Sequence, residues 1–105
     1  MERMKARITV LKCMDNRRIQ RQELSRGYAG ACDVAEVDRS FEAGRDVPAG
    51  FCSFAHADIH DDLMMIQCGG NPGYIGPDHT MISCRRGGFC PVVFKIERLD
   101  VPCNP

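Results

Sequence analysis

The stretch GFCSFAHADIH at 50–60 places Cys52, His56 and His60 at successive four-residue intervals. Thiolate and imidazole are the side chains that hold soft and borderline metal ions. A thiol beside an imidazole is also the pairing that serves nucleophilic catalysis. Wound as a helix at about 100° per residue, 52–67 gathers Ala55, Ile59, Leu63 and Ile66 on one apolar face. Cys52 falls in the middle of that face, His56 on its border, and His60 and Gln67 further round. Asp58, Asp61 and Asp62 point elsewhere and are read as solvated. At the N-terminus of such a helix the dipole and the free N–H groups favour a thiolate at Cys52.

One ion cannot take all three residues. Positions 52 and 60 are about 12 Å apart along the axis at roughly 1.5 Å per residue. Metal–sulfur and metal–nitrogen bonds of about 2.3 and 2.0 Å let the two side chains span only about 8–9 Å together. The alternatives are Cys52 with His56 or His56 with His60, completed from elsewhere. The spacing HxxxH suits zinc but lacks the glutamate of HExxH. His60 is therefore read as a bystander with a water or carboxylate partner.

The chain has seven cysteines, at 13, 32, 52, 68, 84, 90 and 103, with no CxxC pair. An odd count without that spacing argues against both a disulfide framework and a zinc ribbon. Free cysteine often packs as a small hydrophobe, so the bland reading is burial. The sharper one is that a few converge as thiolates. Cys84 and Cys90 bracket RRGGF and lie near each other if a hairpin forms there, as a reversible disulfide, a shared ligand pair or simple packing. Asp78 and His79 are further loop candidates.

The elements that would position these groups can be read from hydrophobic periodicity. ARITVLKC (6–13) alternates and is β-branched, giving a first strand. Asp15 or Asn16 caps a basic helix to about residue 27, with Arg17, Arg18, Arg21 and Arg26 on a solvated face. Short strands follow at 34–37 and 40–42. The second helix runs from a Ser53 cap to Cys68, stopped by Gly69-Gly70. TMISC (80–84) and PVVFKIER (91–98) form a hairpin, and residues 99–105 are a tail. The expectation is an α+β fold: one domain, 1–105, with a mostly antiparallel sheet of four to five strands and two helices packed on one face.

At 105 residues, with 14 basic against 14 acidic residues and 44% hydrophobic content, the chain has no charge excess to recruit nucleic acid. No apolar run reaches the length of a bilayer span, and MERMKARITVLK has no signal-like apolar core, so a cytosolic location is expected. The glycines at 69–76 are not followed by GK[ST], and no GxSxG occurs. The edge of so small a sheet favours a homo-oligomer.

Five pieces of the chain, ITVLK (8–12), Cys32, PAGFCSFAHADI (48–59), Gly69-Gly70 and SCRRGGFCPVVFKIER (83–98), together resemble a small uncharacterised family of prokaryotic proteins. Its pattern contains P-x-G-F-C-x-W-A-W-x-D-I and C-x-D-G-x-R-P-V-V-F-K-I-E-R. The resemblance covers most of the chain and implies no assigned activity. It sets Cys32, Cys52 and Cys84 on cysteine positions of the pattern, and leaves Cys13, Cys68, Cys90 and Cys103 off it. Phe54 and His56 stand in place of tryptophans, Asp33 in place of a proline, and Cys90 in place of an arginine.

These observations lead to three expectations. The first is a metal site of Cys32, Cys52, His56 and Cys84 holding zinc, copper or iron. The second is an enzyme using Cys52 as nucleophile or redox thiol with His56 as base. The third is a non-catalytic binding or assembly module with structural cysteines. A metal ion or small molecule, and a second copy of the chain, are the expected partners.

Overall fold

The computed structural model describes residues 2–25, 27, 30 and 36–103. The strand β1 (Met4–Cys13) is followed by α1 (Arg17–Glu23), β2 (Ser40–Ala43), α2 (Ser53–Gln67), β3 (Thr80–Arg85) and β4 (Val92–Pro102). The four strands form one antiparallel sheet in the order β2-β1-β4-β3. The expected α+β class, with a small antiparallel sheet and two helices, is what forms.

Alternation sets the layers. Ala6, Ile8 and Val10 of β1, Phe41 and Ala43 of β2, and Val92, Phe94 and Ile96 of β4 are buried at every second position. Onto that face α2 lays Ala55, Ile59, Leu63 and Ile66, the four residues that helical periodicity selects, and together they make the core. This layer positions every candidate on α2. The other helix is short because only one of its side chains finds a buried place. Gln20 is 0% exposed, donating to Phe89 O at 2.7 Å and Gly30 O at 2.9 Å and accepting from Gly30 N at 2.9 Å. The α2 helix is thus the one that covers the sheet, and α1 is fastened to loops at its side.

Several boundaries differ from the sequence expectation. The α1 helix ends at Glu23, because Leu24 is already extended (ψ 133°). Asn16 caps it without a side-chain cap bond and instead donates its amide to Gly88 O. The N-cap of α2 is Cys52, not Ser53. The expected strand at 34–37 lies partly outside the described residues, and Val37 is in a turn. Residues 99–102, expected as a tail, continue β4, and Pro102 pairs with Met4.

The turn that launches α2 has a clear cause. Phe51 N donates to Pro48 O at 3.0 Å, and Gly50 has φ 76°. A turn with proline first and a left-handed third residue requires glycine there. At the far end Gly70 N donates to Met65 O at 2.7 Å.

Candidate functional site

The start of α2 sits on an aromatic cluster. Phe51 packs edge-on to Phe41, with ring centres 4.9 Å apart, and tilted against Phe94 at 5.5 Å. Its ring also meets His56 edge-on at 6.5 Å. His56 N donates to Cys52 O at 3.0 Å, closing the first turn and fixing the two side chains one turn apart. The thiol of Cys52 makes no cap bond, and its side chain packs, half-buried, against the core.

His56 faces His60 one turn further on, ring centre to ring centre 5.8 Å, with planes inclined at 56°. Burial holds the His56 imidazole below its ordinary pKa, and the nearby His60 and Arg3 push in the same direction. It is therefore a neutral ring near pH 7 with nitrogen lone-pair capacity. His60, read from sequence as a bystander, is its nearest imidazole. The helix angle alone signals this contact, since residues four apart are neighbours.

Of the four expected metal ligands, Cys52, His56 and Cys84 are among the described residues, and these three are not grouped around one point. Ser83 Oγ donates to Asp62 Oδ2 of α2 at 2.6 Å, so Ser83 points toward the helix. Cys84, the next residue, points to the opposite face of the sheet, opposite Val93. Cys52 lies on the helix side, so the sheet separates the two sulfurs. Cys32 lies outside the described residues. Among the described residues no three of His, Cys, Asp or Glu are grouped so as to hold one metal ion. Among the described members of the set, Cys52 and His56 stand one helical turn apart.

The hairpin cysteines are likewise apart in role. Cys84 Sγ donates to Arg85 O at 3.1 Å, and Cys90 Sγ accepts from Arg85 Nη1 at 3.9 Å. Both are free thiols. His79 is structural: its Nδ1 bonds Gly70 O at 2.9 Å, its N–H donates to Asn71 Oδ1 at 3.2 Å, and Asp78 accepts from Asn71.

Two aspartates expected to be solvated are engaged. Asp62 holds Ser83, and Asp58 Oδ2 accepts from Arg86 N at 3.0 Å. They line a groove of about 570 Å³ that wraps the free edge of β3, with Ile82, Cys84 and Val93 on its far side. Sequence reasoning also missed Gln67. It is 0% exposed, accepts from Arg3 Nε and Nη2 at 3.0 and 2.9 Å, and donates to Gly44 O at 2.9 Å and Ala43 O at 3.2 Å. Its place on the helix wheel, beside Leu63 and Ile66, was the available signal. Through it Arg3 is brought to the His56 side of α2.

No helix among the described residues is long and apolar enough to cross a membrane. Comparison of the chain with protein-family models, curated proteins and solved structures finds no match.

Proposed function

We propose that the protein binds a transition-metal ion at the N-terminal half of α2 through His56, with Cys52 or His60 as its second protein ligand. The observation that carries this reading is the 5.8 Å between the His56 and His60 ring centres. A metal–nitrogen bond of about 2.0–2.1 Å puts an ion about 3.2 Å from each ring centre. Two rings on one ion then lie about 5.2 Å apart at a tetrahedral angle and about 6.4 Å apart when linear. The observed spacing falls between these limits without any movement of the helix. Imidazole with thiolate suits zinc, copper or iron, and the remaining positions go to water or a small molecule.

Elemental analysis of protein purified without a histidine tag, with zinc titration of the wild type, His56→Ala and Cys52→Ser, tests the reading. Binding that weakens roughly tenfold or more in His56→Ala supports it. A metal-free wild type that folds normally and shows no zinc affinity contradicts it.

A second reading makes Cys52 a nucleophile or redox thiol with His56 as base. A neutral His56 one turn from a thiol without a cap bond favours it. Under this reading Cys52 reacts with iodoacetamide far faster than the other cysteines, and His56→Ala removes the advantage. A sluggish Cys52 removes the enzyme.

The free thiols of Cys52, Cys68, Cys84, Cys90 and Cys103 suit a reducing, cytosolic setting. The edge strand β3, with Ile82 exposed, supports a homo-oligomer.

A further inference from the structure

From N-cap to C-cap, α2 carries sulfur or imidazole at every fourth position: Cys52, His56, His60, Met64 and Cys68. Each step rises about 6 Å and turns about 40°. Along the row Cys52 and His56 are half-buried, His60 is exposed, and Met64 and Cys68 are half-buried. Adjacent members are one turn apart, the separation at which side chains on a helix meet. The step from His56 to His60 shows it, with ring centres 5.8 Å apart.

An independent observation sets these residues apart. Every described cysteine or histidine off the row is engaged: Cys84 by Arg85 O, Cys90 by Arg85 Nη1, Cys103 by Gln67 Nε2, His79 by Gly70 O, and Cys13 by a contact of its own. The side chains of Cys52, His56, His60 and Cys68 have no hydrogen-bond partner among the described residues. Met64 also differs from Met81, whose sulfur accepts from Tyr74 Oη at 3.6 Å. Among the described cysteines and histidines, the side chains left unclaimed are the ones on this row.

We propose that α2 is a Cu(I) ladder that holds the ion two donors at a time, with a second position formed by Met64 with Cys68 or His60. The inference rests on the metal-binding reading above and names the ion. Thioether and thiolate are soft ligands that select Cu(I). A monovalent d10 ion is satisfied by two or three such donors. A divalent ion with only two protein ligands keeps an incomplete shell. Copper enters and leaves as Cu(I), so no electron is transferred. When Cys68 binds, its S–H proton is released to solvent and a sulfur–copper bond takes its place.

The test is NMR of protein labelled at the methionine methyl carbons, titrated without oxygen with Cu(I) supplied as its acetonitrile complex. The Met64 methyl signal shifts while that of core-packed Met81 stays. In Cys68→Ala with His60→Ala, roughly tenfold more copper is needed for the same Met64 shift. The signals of the other methionines report that the variant is folded. A Met64 signal unmoved at several equivalents, or one that moves equally in the double variant, overturns the ladder. Zinc binding that depends on His56 beside a silent Met64 overturns the ladder alone. A Met64 response with no metal effect of His56→Ala overturns the His56-centred reading instead.

Discussion

The imidazoles of His56 and His60 stand one helical turn apart with ring centres 5.8 Å from each other and planes inclined at 56°. The neighbouring His60 raises the cost of charging His56. Burial against Phe51 adds the larger part at His56, and Arg3 contributes in the same sense. The result is a His56 ring that takes up a proton less readily than an isolated histidine.

Stability and metal affinity should both follow this ring. A histidine that binds its proton less readily when folded leaves the excess of bound protons on the unfolded chain. Stability therefore rises with pH across that window, and is lost as pH falls from about 6.5 through the lower folded value. Urea midpoints measured between pH 5 and 8 should show this slope, about the unfolded histidine value of 6.5 and below. His56→Gln should flatten it. Metal affinity should decline in the same range, because protons compete for the nitrogen.

Cys52 and Cys84 should separate cleanly in metal titrations. The sheet lies between them, and Cys84 already donates to Arg85 O. Cys84→Ser should leave the affinity of the His56 site unchanged, whereas Cys52→Ser should remove any thiolate contribution to the spectrum of bound Co(II). Equal effects of the two substitutions would contradict the geometry.

Gln67 links α2, the end of β2 and Arg3 in one buried network. Gln67→Ala leaves a charged donor and two carbonyls without that partner, at a cost of about 2–3 kcal/mol. For a domain of this size the corresponding fall in melting temperature is roughly 10–20 °C. Calorimetry checks it.

Gly70 is needed for space. A Cβ there would stand 2.7 Å from Met65 O and closer still to Met65 Cγ, just where Gly70 N bonds Met65 O. Gly70→Ala should destabilise by about 1–3 kcal/mol, read from denaturant midpoints. Gly76→Ala, with nothing within 4 Å of the added methyl, should not.

The sheet and the buried face of α2 were legible in the sequence because period-2 and period-3.6 patterns are local. Ala55, Ile59, Leu63 and Ile66 follow from spacing alone and are the residues found in the core. The failures have tertiary causes. Gln67 is polar, and only Arg3, Ala43 and Gly44 arriving from other elements make its burial tolerable. Cys84 was expected beside Cys52, but strand parity decides its side of the sheet, with Ser83 paired to buried Phe94 and reaching Asp62 while Cys84 is paired to Val93. The β4 strand outran its expected end because Pro102 finds Met4 in the ladder, a partner 98 residues away in sequence.

The most direct test of the metal-binding account is the nitrogen chemical shifts of the histidine rings, recorded on ¹⁵N-labelled protein at neutral pH before and after one equivalent of zinc. The account predicts that one ring nitrogen of His56, together with one of His60 or a Cys52-dependent signal, moves to the metal-bound range while His79, held by Gly70 O, does not. Rings of His56 and His60 that keep their free shifts at saturating zinc would contradict it.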